Sequence, residues 1–261
     1  MEMVKASIYK LKWFFFLLIG ILLIIAPLVA HSYWVALITQ IFIYGILAMS
    51  LDILLGYTGL PSFGHAGFFG TSAYVVGVLT TRYGAGFWSS GFIAVIITIG
   101  VAAIFGLLCV HASGVYFLMI TLALGMILWG LAFRWVSMTG GDNGIAGIPK
   151  PEIGLAIDMY DPAMFYYFTF LIFLLTLLGM YILITSPFGK SLKGLRESES
   201  RMRTLGYNTW LHKYLSYILA AGFASIAGML WAYYNGFVSP NDLDIVATME
   251  AFFMTILGGP G

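Results

Sequence analysis

Apolar positions in this chain run in long unbroken stretches, not in the short alternations of a sheet or the one-sided stripes of a soluble helix. These stretches cover residues 13–30, 34–55, 65–81, 87–110, 115–137, 162–185, 213–234 and 244 to the end. Charged side chains are absent from 13 to 51, 53 to 81, 83 to 133, 162 to 189 and 214 to 241. A helix needs about 20 mainly apolar residues to cross a bilayer, so each gap holds at least one crossing. Barrel strands are shorter and alternate in polarity, and lipid admits few other spanning structures. The expectation is an all-α, polytopic helical membrane protein with about eight transmembrane segments, forming a single transmembrane domain over residues 1–261.

Two stretches interrupt the pattern. The sequence GYTGLPSFGHAGFFG at 56–70 is crowded with glycine and contains Pro61, which disfavours a plain helix interior. It predicts a broken or re-entrant element. Irregular backbone at membrane depth is tolerated only where protein or water satisfies its polar groups, so Ser62 and His65 are candidates to line a path or gate. The second stretch, TGGDNGIAGIPKP at 139–151, lies in the longest loop predicted on the external side. Its glycines and Asn143 favour turns, and Thr139 and Asn143 are candidates for an ordered gate or docking loop, the alternative being an ordinary linker. Within AAGFASIAGML, Ala221 stands four before Ser225 and Ala224 four before Gly228, a spacing that predicts close helix packing. The last apolar run ends at LGGPG, too soon to complete a crossing, and predicts a truncated C-terminus.

Composition adds a check on orientation. Of 261 residues, 61% are hydrophobic and 9% charged, against roughly a quarter charged in a soluble domain. If each segment crosses once and the start, with Lys5, Lys10 and Lys12, is cytoplasmic, then 186–212 is cytoplasmic as well. That segment carries Lys190, Lys193, Arg196, Arg201 and Arg203; with Lys213 at its edge, nine of twelve basic residues fall inside, as the positive-inside rule requires. The run at 13–30 is longer than a signal-peptide core and reads as a retained first helix. A net charge of +1 with no basic patch gives nucleic acid no footing.

Catalytic and metal chemistry finds no constellation. His31, His65, His111 and His212 are far apart and in no ligand spacing, and Cys109 lies in an apolar run as a packing residue. Gly189–Ser191 spells GKS, but Ile184 stands where the phosphate loop needs its first glycine, so the chain cannot bind ATP by this motif. Asp52 and Glu250 lie in or near the ends of apolar runs; intramembrane carboxylates are costly and mark paths and gates, although either could equally cap or snorkel at an interface.

The segment SPFGKSLKGLRESESRMRTLGYN at 186–208 is the most informative. Pro187 and Gly189 end the preceding helix, and Gly206 suits a left-handed stop. On a helical wheel Leu192, Leu195, Met202 and Leu205 share one arc, interrupted by Glu199, with basic residues opposite. This predicts a single amphipathic helix across the cytoplasmic face, resting on lipid headgroups or docking into a soluble partner.

RESESRMRTLG, with Glu197 nine residues before Gly206, resembles the coupling-loop motif of bacterial ABC importer permeases, departing from it at Arg201 and Met202, where small residues are usual. LDILLGYTGLPSFGHAGFFGTSAY, GVYFLMITLALGMIL, TGGDNGIAGIP, SPFGKSLKGLRESE and GFVSPNDLDIVATMEAFFMTILGGPG, in this order, resemble the LivM-type permeases of branched-chain amino acid importers. The resemblance implies a multi-pass subunit of the inner membrane with a cytoplasmic N-terminus. It implies coupling to ATPases through Arg196, Glu197, Glu199 and Gly206 within segment 186–212. It further implies no cofactor on this chain, ATP being used by partner subunits. The implied partners are a second, LivH-type permease, two cytoplasmic ATPases and an extracytoplasmic substrate-binding protein. The substrate would be a branched-chain or other hydrophobic amino acid; related permeases serve urea and short amides. An autonomous secondary transporter and a membrane-embedded enzyme are the rival classes.

Overall fold

The computed structural model describes residues 20–152, 154 and 158–261. In chain order the helices are α1 (Gly20–Val29), α2 (Ser32–Asp52), α3 (His65–Tyr83), α4 (Phe87–Cys109), α5 (Val115–Arg134), the single turn α6 (Val136–Thr139), α7 (Pro162–Thr185), α8 (Pro187–Glu197), α9 (Glu199–Thr204), α10 (Thr209–Asn235) and α11 (Ile245–Gly258). Strands β1 (Ile145–Ala146) and β2 (Phe237–Val238) form one antiparallel pair, Ile145 opposite Val238 and Ala146 opposite Phe237.

Every predicted apolar run is helical where described; residues 13–19 of the first run lie outside the described residues. Among the described residues, five helices are long and apolar enough to cross a membrane, against about eight expected: α2 with its extension to Thr58, α4, α5, α7 and α10. The final run yields a helix of only 14 residues.

Helix α10 is the axis of the bundle. Ala220, Ala221, Ala224 and Ala227 are fully buried on it, and α10 packs against α2, α3 and α4. A Cβ on Gly228 would collide with the Phe69 carbonyl of α3, and Ser72 Oγ donates to the Ser225 carbonyl at 2.6 Å. The small residues at four-residue spacing thus let two backbones touch, as predicted. Helix α7 packs on the other face of α2, where the Phe42 ring meets Tyr166, Phe170 and Phe173 at 5.0–5.4 Å. Tyr166 and Tyr167 hydroxyls donate to the Leu23 and Ile24 carbonyls, fastening α1 to the start of α7.

The starts of α2 and α7 and the close of α10 share one end of the bundle, where Tyr234 donates to the Ala36 carbonyl at 3.0 Å. The β1–β2 pair lies beyond the close of α10 and marks this hairpin end. At the opposite end, the close of α2 meets α8, α9 and the start of α10.

The 56–70 stretch is a broken element and not a re-entrant hairpin. Helix α2 widens into a π-turn, Ile53–Thr58, which stops at Gly59 in the left-handed conformation (φ 75°). An extended link then leads to α3 at His65, and the link is held at depth by Phe63 N–H donating to Thr121 Oγ1 at 3.1 Å. A second interruption has no counterpart in the sequence reading. After β2 the chain turns back as a short 3-10 helix, Pro240–Leu243, packed between α3 and α5, before α11 begins. Gly70 makes room for it, since a Cβ there would meet the Leu243 side chain and the Asp242 carbonyl.

Candidate functional site

The predicted single amphipathic helix is two helices. Ser186 caps α8 by accepting from Gly189 N–H at 3.2 Å, with Pro187 supplying a preformed first turn. Ser198 is fully extended (φ −165°, ψ 104°), ends α8 and caps α9 by accepting from Arg201 N–H. Gly206 takes the left-handed stop expected of it (φ 86°). The wheel places four apolar residues on one arc, but the break turns the last one away: Leu192, Leu195 and Met202 are buried together against Tyr57 and Phe188, whereas Leu205 is 71% exposed. Helices α8 and α9 therefore form a bracket whose apolar face is covered by this chain's own π-turn and the start of α8. Its exposed edge includes Glu197, Ser200, Arg201, Leu205, Gly206 and Tyr207.

Arg196 joins the bracket to the broken helix. Its guanidinium donates to the Gly56 carbonyl inside the π-turn. A Cβ on Gly59 would lie 3.2 Å from the Arg196 side chain, and Lys193 Nζ stands 5.0 Å over the Tyr57 ring. A π-turn leaves carbonyls off the regular ladder, so an external donor meets a real need there. Asp52, read from sequence as a path or gate residue, lies at this same end, accepting from Gly261 N–H at 3.2 Å and close enough to Arg196 to feel its charge.

Glu199, which interrupts the apolar arc, anchors α9 to α10. It pairs with Arg203 at 2.6 Å and with Lys213, and also accepts from Thr209 Oγ1 at 3.2 Å. Partial burial pushes its carboxyl up, but the hydrogen bonds and charges of Lys213 and Arg203 outweigh that and hold it below the ordinary value of 4.5. Sequence reading missed Lys213 as its partner. Part of the signal was available: a carboxylate inside an apolar arc needs a cation, and after Arg201 and Arg203 the next lysine stands in the first turns of α10.

The other path and gate candidates do not converge. Ser62 and His65 are fully buried at the break. Ser50 Oγ donates to the Leu47 carbonyl at 2.6 Å, so at 2.7 Å from His65 Nε2 it acts as acceptor. His65 Nδ1 and Ser62 Oγ have no hydrogen-bond partner among the described residues. Thr139 lies at the hairpin end, its hydroxyl on the carbonyls of Ala132 at 2.6 Å and Trp135 at 2.8 Å, while Asn143 is exposed in the turn that follows.

The 139–151 loop is ordered. Ile145 and Ile148 are buried in a cluster with Val238, and Gly144 presses on the Val238 carbonyl, where no Cβ would fit. Lys150 Nζ donates to the Tyr233 and Tyr234 carbonyls at 3.0 and 2.8 Å, closing α10 with a cation where the helix dipole is negative. Burial pulls its pKa below the ordinary lysine value.

Glu250 faces outward into a groove between α2, α7 and α11, of about 970 Å³, shared with Gln40, Tyr44, Met49, Phe173 and Met254.

Membrane-length helices, two interruptions within the bundle and an amphipathic bracket at one end of it define a polytopic helical membrane protein. The family described as "Branched-chain amino acid transport system / permease component" matches residues 33–261, and the chain belongs to that family. It is similar to the high-affinity branched-chain amino acid transport system permease protein LivM of Escherichia coli, 30% identical over 282 aligned residues, which cover 99% of this chain and 66% of that protein. The LivM protein of Salmonella typhimurium is likewise 30% identical over 280 residues, with 99% and 66% covered. A probable LivM permease of Methanocaldococcus jannaschii is 25% identical over 255 residues, 84% of this chain and 73% of that protein. The chain thus spans 66% of the length of its Escherichia coli and Salmonella relatives. No solved structure matches it.

Proposed function

We propose that this chain is a membrane-spanning permease subunit of an ATP-driven importer of branched-chain or other hydrophobic amino acids. It sits in the inner membrane with a cytoplasmic N-terminus, beside a second, LivH-type permease. Two cytoplasmic ATPases drive it, and an extracytoplasmic binding protein delivers substrate; the chain itself holds no cofactor. The observation that carries this reading is the α8–α9 bracket, which is linked through Arg196 to the carbonyl of a broken membrane helix.

The apolar face of the bracket is spent on this chain, which leaves its outer edge, with Glu197, Leu205, Gly206 and Tyr207, for a motor subunit. ATP binding closes the motor pair, closure displaces the bracket, and Arg196 carries the displacement to the π-turn below α3. The membrane helices then alternate between access from either side. The free energy is the differential affinity of ATP for the two arrangements, because a ligand shifts only an equilibrium that it discriminates. The double variant Glu197→Ala, Gly206→Val tests this in the reconstituted complex: ATP hydrolysis should persist while amino acid uptake falls at least tenfold. Normal coupled uptake in that variant, or solute movement by this chain in vesicles without motor subunits, would overturn the proposal.

A further inference from the structure

We infer that the groove between α2 and α11 is a contact site for an α-amino acid zwitterion. In it Glu250 takes the ammonium, Gln40 and Tyr44 take the carboxylate, and Met49, Phe173 and Met254 take the aliphatic side chain. The inference rests on the permease reading and narrows its substrate class.

Depth is the first argument. Tyr44 lies near the middle of the 21-residue α2, about 18 Å along the axis from Ser32 at 1.5 Å per residue. Glu250 opens into the groove at this depth and is exposed. A carboxylate at mid-membrane depth is costly, faces a protein interior or a water-filled cavity in nearly all cases, and marks substrate pathways.

The second argument is that the groove's polar groups are uncommitted. Asp242, the nearby acid, is fully engaged, accepting from Trp231 Nε1 at 2.9 Å and Ser239 N–H at 2.8 Å. Glu250, the Gln40 amide and the Tyr44 hydroxyl have no hydrogen-bond partner among the described residues, although all three line one groove. The Tyr44 ring is nevertheless held, edge-on to Trp231 at 5.2 Å and stacked near Phe69 at 6.3 Å, so its hydroxyl is a positioned donor. One free acceptor charge and two free donors complement a zwitterion, and the thioether and phenyl lining complements an aliphatic chain. Urea and short amides carry no ammonium and leave Glu250 without a counter-charge. The groove therefore favours amino acids over amides.

The experiment uses the complete complex with its binding protein in proteoliposomes and measures uptake of leucine, and of urea or acetamide, against ATP hydrolysis. Glu250→Gln keeps the shape of an exposed side chain and should lower maximal leucine uptake at least tenfold. Recovery of the second permease should stay unchanged, with Glu250→Asp restoring half or more of the uptake. Tyr44→Phe and Gln40→Ala should each lower uptake about threefold and carry the test if Glu250→Gln does not assemble. Leucine uptake within twofold of wild type in all three variants overturns the inference and leaves the permease reading intact. So does loss of the second permease from Glu250→Gln with uptake per assembled complex unchanged, which would assign this face to subunit packing. A wild-type complex that imports amides but not leucine overturns it as well. Flux through the chain alone overturns the permease reading itself.

Discussion

The two interruptions of the bundle are built on opposite plans. The first, Ile53–Gly64, borrows its support: a π-turn whose Gly56 carbonyl is met by an arginine from another helix, and a link hung on Thr121 of a third. The second, Gly236–Asp244, combines its own bonds with support on several sides, its 3-10 helix lying packed between α3 and α5. Asp242 binds Ser239 N–H in a capping box and Trp231 Nε1 across one turn of chain, and β2 is zipped to β1. A break tied to one outlying bracket moves when that bracket moves, whereas one pinned to several elements of the bundle does not. The first is the natural joint of this molecule and the second a fixed post.

The largest test removes the common ground of both. Gly228→Val drives a branched side chain into the Phe69 backbone; overpacking of this kind costs about 3 kcal/mol, and folded protein recovered in detergent should fall several-fold. Normal recovery would mean that α3 and α10 are not welded. Next, the pair Arg196→Ala and Asp242→Asn separates the two plans. Arg196→Ala should cost about 1 kcal/mol of stability, the Gly56 carbonyl losing its donor, and cut uptake per ATP at least tenfold. Asp242→Asn loses a buried acceptor worth about 1–3 kcal/mol and should lower the unfolding midpoint while leaving that ratio unchanged. The reverse outcome would exchange the roles of joint and post.

Smaller still is the titration of Glu199. Its folded-state pKa is depressed, so its stabilisation is complete above 4.5 and is lost as pH falls through the lower folded value. Amide exchange across Ser200–Leu205, corrected for intrinsic rates, should be flat from pH 7 to 5 and rise only below about 4.5, whereas Glu199→Gln should exchange fast throughout. The smallest effect belongs to Lys150→Met, which removes the cation closing α10 and should cost about 0.5–1 kcal/mol with uptake unaffected.

Sequence made the helices legible because lipid demands long apolar runs, and it marked a close-packing face on α10 because only small residues allow such an approach, without naming α3 as the partner. It was silent about helix faces: in lipid both the packed and the outer side are apolar. On α4, buried Ala102 and Cys109 alternate with exposed Ile104 and Leu107 without any change of polarity. For the same reason the shared groove of Gln40, Tyr44 and Glu250 could not be assembled from a wheel. The break at Ser198 was hidden because serine caps and serine interiors look alike until a backbone angle is known. The partner of Arg196 was invisible in principle, since a main-chain carbonyl has no letter in the sequence.

The weld between α3 and α10 also sets a mechanical scale. Helix α10 has 27 residues, about 40 Å at 1.5 Å per residue, with the Glu199 anchor at one tip and the Lys150 closure at the other. Treated as a stiff rod of that length pivoting at the closed tip, a turn of about 5° sweeps the Glu199 tip through about 3.5 Å. That is a heavy-atom diameter of travel, obtained without stretching a single main-chain hydrogen bond.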